Sequence, residues 1–392
     1  MSKTRKYSQD TILTQLGRDP DDYYGLMNPP IVQASTIKYK DLESYETKKG
    51  QKFTYANIGH PLSHHFETAM AELEGGYRAV SSSTGLAPIT ASLLAFLKSG
   101  DHLLMCDSIY PPTRIVCEKL LKKFGVEIEY YDPLIGASIK DLIKDNTAVI
   151  YLESPGSATF EVQDVPAITE VAKDAGVITI MDNTWASGLL FKPLAHGVNI
   201  SVCAATKYIG GHADVNLGYA VADTEENYKR LKAAHVDLGH CPGSEDLYLA
   251  LRGLRTMKMR LEHCAKSALK VAQFLQTRPE VRRVYHVALP EHTSHEIWKR
   301  DFTGANGLLS FVLEDAPKPA VAGFMDALEL FPIGSSWGGY MSLLQPQIEI
   351  NWRKAVKWQE EGTLIRLQIG LEDPDDLITD LGQAFEKFGD MK

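Results

Sequence analysis

Lys207 lies in a sequence context that suits an amine nucleophile. The apolar segment 201–205 is typical of a β-strand, and it runs directly into Thr206 and Lys207. We therefore expect this amine at the edge of a sheet, where loss of bulk water weakens its preference for the charged form and lets it attack a carbonyl. A lone lysine is more often a solvated surface residue. Supporting residues must therefore decide whether Lys207 forms a Schiff base.

Asp182 is the first supporting residue. It follows the apolar run 177–181 and precedes Lys207 by 25 residues, enough for a loop and the return strand of one α/β unit. Both side chains can then reach one crevice at the carboxyl edge of a parallel sheet. Alone, Asp182 could equally cap a helix or a turn. Together, an amine for an aldehyde and a carboxylate for a pyridinium nitrogen are what pyridoxal 5′-phosphate (PLP) requires.

A phosphate group needs an anion site, and the run 81–87 offers one. Gly85 and Leu86 lie in this run, just before the segment 88–97, whose periodicity predicts a helix. Glycine lets the backbone approach closely, and the first N–H groups of a helix point at an anion. An ordinary helix cap would give the same pattern. Thr206 adds a hydroxyl beside Lys207, so three independent features agree on PLP as the cofactor.

Six short blocks extend this interpretation to nearly the whole chain. They lie at 70–76, 152–157, 181–185, 205–208, 336–340 and 362–367. In these blocks and in their order the chain resembles the PLP-dependent enzymes of Cys/Met metabolism, the trans-sulfuration family. The resemblance runs from about Tyr55 to Phe388. It implies a PLP-dependent enzyme that acts on a small amino acid.

The resemblance also implies roles for residues outside the PLP-binding set. Tyr110 would stack on the pyridine ring, as an aromatic face suits a flat, electron-poor ring. Tyr55 would cross to the phosphate site of a neighbouring subunit, and either tyrosine could accept the substrate's ammonium proton. Arg366 interrupts an apolar strand, and its fork would bind the substrate carboxylate, the alternative being an ion pair with a protein acid. Ser336 and Trp337 would line the substrate pocket.

Asn57 departs from the family pattern, because relatives usually carry arginine two positions after the tyrosine at position 55. The change removes a positive charge from the expected phosphate site, so we expect weaker cofactor retention than in relatives. Lys52, His60 or His64 could compensate, although each also fits an ordinary surface residue.

The reaction implied by the resemblance is β-elimination. Lys207 would remove the Cα proton, a thiolate would leave from Cβ, and pyruvate and ammonia would follow; with cystathionine the thiol is homocysteine. Ser335 and Trp337 stand where γ-cleaving relatives often carry glutamate and leucine, and the loop after Tyr110, Pro111 and Pro112, lacks the cysteine that methionine γ-lyases place there. Cysteine-S-conjugate lyase, cysteine desulfhydrase and γ-lyase or γ-synthase activities remain alternatives. A regulatory binding protein on a lyase fold is the alternative from another class.

Composition restricts the possible partners. The 392 residues carry a formal charge of −9 and show no basic face, which disfavours nucleic-acid binding. No apolar stretch approaches membrane length, and the polar start 1–6 lacks a signal-peptide core, so we expect a cytoplasmic protein. Five cysteines without a CxxC pattern are typical of reduced core thiols. The histidine pairs 64/65 and 292/295 lack a third ligand at zinc-like spacing, so no metal is expected.

The elements that must position these residues alternate along the chain. Strands are predicted at 102–106, 126–131, 148–152, 177–181, 201–205 and 217–221, separated by helical segments. This order predicts an α/β protein with a mostly parallel sheet covered on both faces. The resemblance implies the PLP-dependent transferase fold (fold type I) with a seven-stranded sheet in a large domain, 61–255, and a smaller α/β domain, 256–392. Residues 1–60 form the expected arm, which contacts a neighbouring subunit in a homotetramer built as a dimer of dimers.

Overall fold

The computed structural model describes residues 7–391. The polar start at residues 1–6, from which we expect the absence of a signal peptide, lies outside this range. Within 7–391, no helix combines the length and the apolar character needed to cross a membrane.

A seven-stranded sheet forms the centre of the larger part of the protein. Its strands are β1 (Arg78–Ser82), β2 (His102–Cys106), β3 (Glu127–Tyr131), β4 (Thr147–Glu153), β5 (Ile178–Asp182), β6 (Ile200–Cys203) and β7 (Gly218–Ala222). They are arranged in the order β1-β7-β6-β5-β4-β2-β3. Strand β7 is antiparallel to both of its neighbours, and the other pairs are parallel. The mostly parallel seven-stranded sheet expected from the sequence is confirmed.

Helices cover both sheets of the protein, and two short helices lie in the arm. They are α1 (Gln9–Gln15), α2 (Leu42–Thr47), α3 (Pro61–Glu74), α4 (Leu86–Phe96), α5 (Pro111–Val116), α6 (Val165–Asp174), α7 (Glu225–Asp237), α8 (Ser244–Leu254), α9 (Met257–Gln276), α10 (His295–Asp301), α11 (Lys318–Ala327) and α12 (Pro374–Met391). Short 3-10 segments lie at Pro20–Tyr23, Lys122–Phe124, Gly136–Leu142, Pro193–His196 and Ile348–Trp352, and a π-helical turn at Cys117–Leu121. Because helices flank the parallel strands, nearly every residue of β2, β4 and β5 is buried.

A second sheet organises the C-terminal part. Its strands β8 (Val281–Tyr285), β9 (Leu308–Leu313), β10 (Leu343–Pro346) and β11 (Thr363–Gln368) are antiparallel in the order β10-β11-β9-β8. Phenylalanines from β9, α11 and α12 pack together beneath it, namely Phe311, Phe324, Phe385 and Phe388. The smaller C-terminal α/β portion expected from the sequence is therefore present.

Helix α9 belongs to the cores of both parts. Its first turns, with Met257 and Leu261, pack in the core of the larger sheet, and its later turns, from Ala268, pack under the smaller one. The division near residues 255 and 256 therefore falls just before a helix that both parts share. The domain limits 61–255 and 256–392 stay a prediction.

The arm contains more regular structure than the sequence indicates, because it carries α1 and α2. Leu13 and Leu16 are buried in the main core, and the Arg255 guanidinium donates to their carbonyl oxygens at 2.8 and 2.6 Å. Downstream of α1, large apolar side chains are exposed, namely Tyr24, Leu26, Met27, Ile31, Leu42 and Tyr45. Such a surface suits the predicted contact of the arm with a neighbouring subunit.

Two details of the sequence interpretation were wrong. Strand β6 ends at Cys203, so Lys207 lies in a following turn, closed by the Lys207 N–H bond to the Ala204 carbonyl at 3.1 Å. Cys241 is exposed, whereas the other four cysteines are buried core thiols.

Candidate active site

A cavity of about 490 Å³ opens at the carboxyl edge of the parallel strands. Nine of the ten residues predicted for the site line it: Gly85, Leu86, Tyr110, Asp182, Thr206, Lys207, Ser336, Trp337 and Arg366. The first six come from the larger sheet region and the last three from the smaller C-terminal part. The cavity is therefore built where the two parts of the protein meet.

Lys207 is held in the cavity by its neighbours in the C-terminal part. Its Nζ donates to the Ser336 hydroxyl at 2.5 Å and lies 5.2 Å from the centroid of the Trp337 ring. Burial, together with the positive charge of Arg366, lowers the pKa of the Lys207 amine to about 8, although Asp182 opposes the shift. A neutral amine, able to attack a carbonyl, is thus accessible near physiological pH.

The loop 336–338 wraps closely around Lys207. Ser336 has a φ of +84°, a strained value for a residue with a side chain, which costs about 1 to 3 kcal/mol. Gly338 has a φ of +82°, and a Cβ there would lie 2.9 Å from the carbonyl carbon of Lys207. The Ser336 carbonyl also accepts from Arg366 Nη2 at 2.8 Å. One serine therefore contacts both the amine and the guanidinium of the site.

Asp182 ends strand β5 at the floor of the cavity. Its Oδ1 accepts the Thr184 N–H at 2.9 Å. Burial raises the pKa of the Asp182 carboxyl, while the hydrogen bonds from Thr184 and the charge of Lys207 lower it. In the parallel register, Asp182 stands directly beside Glu153 at the end of β4.

Glu153 is a site residue that the sequence interpretation missed. Its Oε2 accepts the Tyr110 N–H and its Oε1 contacts the Ser157 hydroxyl, both at 2.6 Å. Burial, and then the charge of Asp182, raise the pKa of Glu153 well above its usual value. Glu153 and Asp182 are therefore adjacent buried carboxyls, and Glu153 holds both the Tyr110 backbone and the Ser157 hydroxyl. The available signal was a carboxylate ending a buried strand, as at Asp182.

Tyr110 lies immediately before α5, and its ring lines the cavity with 40% of the residue exposed. Burial raises the pKa of its phenol; the charges of Asp182 and Glu153 act in the same direction, and Arg366 opposes them. The bond from its N–H to Glu153 fixes the backbone from which the ring projects. The Tyr110 ring is thus anchored, through its own backbone, to Glu153, the neighbour of Asp182 in the sheet.

The start of α4 lines the cavity beside the turn that carries Lys207. A Cβ on Gly85 would lie 2.6 Å from the Ala204 Cβ, so only glycine lets this helix start approach the turn that carries Lys207. Within residues 7–391, the N–H groups of Gly85 and Leu86 donate to no protein atom. The Thr206 hydroxyl, in contrast, is already bonded to the backbone of Leu217, donating at 3.1 Å and accepting at 3.0 Å. Two free N–H groups at a helix start suit a phosphate.

Arg366 projects from β11 into the cavity. Its Nη2 donates to Gln345 Oε1 at 2.6 Å and to the Ser336 carbonyl, whereas its buried Nε has no partner among the described residues. Burial lowers the pKa of Arg366 to about 10, which leaves it charged. No ion pair of Arg366 with a protein acid is present in the described chain, so the alternative of a structural ion pair finds no support there. An unpaired edge of a buried guanidinium suits a carboxylate.

Comparison with known proteins identifies the family. The family model for Cys/Met metabolism PLP-dependent enzymes matches residues 10–386. The chain belongs to this family.

Two relatives and one solved structure illustrate its range. The chain is 41% identical to the cystathionine beta-lyase of Escherichia coli strain K12, covering 96% of this chain and 98% of the relative. It is 37% identical to the L-alanine/L-glutamate racemase of Wolbachia pipientis wMel, covering 97% of each. A structure of cystathionine gamma synthase from Xanthomonas oryzae pv. oryzae in complex with cystathionine matches with a TM-score of 0.90 and 30% identity, covering 98% of this chain and all of that one.

As a member of the Cys/Met metabolism family, the protein is a PLP-dependent enzyme, and the cavity fits this cofactor. A buried amine with a lowered pKa faces a buried carboxylate, and free N–H groups at a helix start lie at the same cavity. We infer that Lys207 and Asp182 bind the ring system and that the N–H groups of Gly85 and Leu86 bind the phosphate. The family resemblance and the fold expected from the sequence are confirmed.

Tyr55 is the one predicted site residue that the structure does not bring to the cavity. It is 45% exposed and does not line the cavity of its own chain. Asn57 lies nearby, in a small cleft with His60 and Lys232. The role of Tyr55 at a neighbouring subunit's phosphate site therefore stays a prediction.

Replacing Asn57 by arginine tests whether this segment reaches a phosphate. If it does, the added guanidinium should lower the dissociation constant for PLP by about tenfold, because a charge-assisted bond to phosphate is gained. The constant can be measured by titrating PLP into the apoenzyme. Asn57→Gln, which adds length without charge, is the control and should bind as the unchanged protein does. If the arginine variant and the unchanged protein bind PLP with equal affinity, the proposal that this segment reaches a phosphate is contradicted.

The histidines rejected as metal ligands have other partners. His292 Nε2 contacts the Thr159 carbonyl at 3.1 Å, and His295 Nδ1 contacts the Val287 carbonyl at 2.9 Å. A different group, His102, Glu127 and Glu129, has metal-like proximity that the sequence did not indicate. The Lys144 ammonium lies 2.6 Å from the first of these carboxylates and 2.7 Å from the second, so a protein cation already neutralises them.

Proposed function

We propose that this enzyme is a cystathionine β-lyase, which cleaves L-cystathionine by β-elimination to L-homocysteine and a three-carbon enamine that water hydrolyses to pyruvate and ammonia. The supporting observation is the juxtaposition, in one cavity, of a buried amine of lowered pKa with a guanidinium that has an unpaired edge. The relative from Escherichia coli carries the same named activity at 41% identity.

The residues divide the work of this elimination. When bound, PLP supplies an electron sink that acidifies the substrate Cα. Arg366 binds the α-carboxylate, which orients the substrate with Cα toward Lys207. The Lys207 amine accepts the Cα proton; the Cβ–S bond then breaks, its electron pair leaves with sulfur, and Lys207 can return the proton to that sulfur. In this proposal Tyr110, or Tyr55 from a neighbouring subunit, accepts the substrate's ammonium proton.

The wall above Lys207 favours elimination at Cβ. Trp337 contacts the Tyr208 ring, with centroids 5.6 Å apart, and its indole lies over the amine. This rigid aromatic pair fills space near the base. Ser335, which also lines the cavity, stands where γ-cleaving relatives often carry a glutamate. We therefore place γ-elimination second to β-elimination.

Parallel assays of candidate substrates test this proposal. The purified holoenzyme is incubated separately with L-cystathionine, L-cysteine, L-methionine and L-alanine, and pyruvate, 2-oxobutyrate, thiol and D-alanine are measured. We expect pyruvate and homocysteine in equal amounts from cystathionine, at the highest kcat/KM. Predominant 2-oxobutyrate would indicate γ-cleavage, and D-alanine without pyruvate would indicate racemisation. No product from any substrate, with PLP bound, would favour a regulatory binding protein.

The proposed surroundings of the enzyme follow from the arm and the cysteines. Exposed apolar residues between Tyr24 and Tyr45 support burial of the arm in a homotetramer, in which Tyr55 reaches the neighbouring site. Four buried thiols without a disulfide support a reducing, cytoplasmic location.

A further inference from the structure

The charged side chains that line the cavity can be assigned one by one. There are five in the lining: the cations Lys207 and Arg366 and the acids Glu153, Asp182 and Glu349. Removing a charged group from water is costly unless an opposite charge or a hydrogen bond compensates it. We therefore ask which partner each of these five side chains has.

Four of these five charges already have partners. Lys207 and Asp182 serve the cofactor, and Arg366 serves the α-carboxylate of the substrate. Glu153 is bonded to the Tyr110 N–H and to the Ser157 hydroxyl. These assignments leave Glu349 as the one charged lining residue without a task.

Glu349 has neither a hydrogen-bond partner nor an ion-pair partner among the described residues. It lies in the 3-10 segment Ile348–Trp352 directly after β10, is half-buried, and forms no hydrogen bond or ion pair within residues 7–391. It stands on the same wall as Gln345, which bonds Arg366, and its charge acts on that guanidinium. An uncommitted carboxylate therefore lies on the side of the cavity where the substrate is oriented.

A cation for a second carboxylate is missing from the same lining. Both lining cations are committed, and the wall around Glu349 adds only the neutral amides Gln345 and Gln347. The arm segment that is proposed to reach a neighbouring site carries the neutral Asn57 in place of the family's arginine. Among the described residues, the cavity lining thus offers one uncommitted negative charge and no uncommitted positive charge.

We propose that Glu349 forms a subsite for an ammonium group on the leaving thiol, so that the enzyme prefers S-substituted cysteines whose thiol part is cationic. This proposal rests on the lyase function proposed above and specifies its substrate class. In cystathionine, the distal ammonium would use Glu349, and the distal carboxylate would lack a partner. A cationic thiol without that carboxylate fits the charges better.

Three cysteine derivatives of similar length separate charge from shape. They are S-(2-aminoethyl)-L-cysteine, S-propyl-L-cysteine and S-(2-carboxyethyl)-L-cysteine, all cleaved by the same elimination to thiol, pyruvate and ammonia. With the holoenzyme we expect kcat/KM for the aminoethyl derivative to exceed that for the propyl derivative by about tenfold, because a partly buried ion pair is gained. For the carboxyethyl derivative, kcat/KM should be lower than for the propyl derivative.

Variants of Glu349 assign the preference to this residue. In Glu349→Gln, kcat/KM for the aminoethyl derivative divided by kcat/KM for the propyl derivative should fall to about one. Glu349→Lys should have its highest kcat/KM with the carboxyethyl derivative. Glu361→Gln, an exposed glutamate outside the cavity, is the matched control and should keep the original ratio.

The outcomes separate failure of the subsite from failure of the lyase function. Equal kcat/KM for the three derivatives in the unchanged enzyme, or an unchanged ratio in Glu349→Gln, overturns the subsite while the lyase function stands. No pyruvate from any of the three derivatives or from cystathionine overturns the lyase function and the subsite together.

Discussion

Lys207→Ala is expected to abolish turnover and the yellow colour of the holoenzyme. By our proposal the variant loses both the amine that bonds the cofactor aldehyde and the base that accepts the Cα proton, so we expect kcat to fall by at least about 1,000-fold. Pyruvate release and the visible absorbance of the bound cofactor measure the two losses separately. Lys207→Arg tests whether positive charge suffices; its guanidinium stays protonated, and it should be equally inactive. Retained colour and turnover in Lys207→Ala would refute the assigned role.

The lowered pKa of Lys207 gives this prediction a pH dependence. With a pKa of about 8, the neutral fraction of the amine rises about tenfold per pH unit below pH 8 and levels off above it. The rate at which the apoenzyme captures PLP should follow the same curve. A rate that still rises steeply toward pH 10 would mean that Lys207 behaves as an ordinary solvated amine.

Arg366→Leu is expected to lower kcat/KM by about 100-fold, mostly through KM. The change removes the proposed charge-assisted, two-pronged bond to the substrate carboxylate, and such bonds contribute more than neutral ones. Arg366→Lys keeps a charge but loses the fork, so it should recover only part of the loss. Steady-state kinetics with cystathionine measure both variants.

A structural role for Arg366 would give a different pattern. Both variants also lose the contacts to Gln345 and to the Ser336 carbonyl, so their melting temperatures and PLP occupancy should be compared. If the guanidinium only holds this loop, PLP occupancy and stability fall while KM stays unchanged. That result would contradict the assignment of Arg366 to the carboxylate.

The sequence located most of the site because the chemistry follows the order of the strands. Asp182 ends β5 and Lys207 follows the neighbouring strand β6, and parallel strands bring their carboxyl ends to one edge. Glu153 ends a strand in the same way, yet its partners are the N–H of Tyr110 and the hydroxyl of Ser157, which no local pattern can pair with it. The sequence thus predicts which residues end neighbouring strands, but it does not predict which hydrogen bonds form between the loops that follow them.

Other residues were missed or left open for different reasons. Glu349 lies in a short 3-10 segment without hydrophobic periodicity, so nothing in its neighbourhood indicated a cavity. Tyr55 needs a second chain to be placed at all. The end of β6 at Cys203 depends on the bond from the Ala204 N–H to the Thr184 hydroxyl, a contact 20 residues apart in sequence.

Ser336 joins the two cations of the cavity through a single residue. Its hydroxyl accepts from the Lys207 amine and its carbonyl from Arg366, so one residue offers an oxygen to each of them. A shift of the loop 336–338 would therefore move the proposed base and the proposed carboxylate-binding group together. The loop is thus a mechanical link between the two sides of the site.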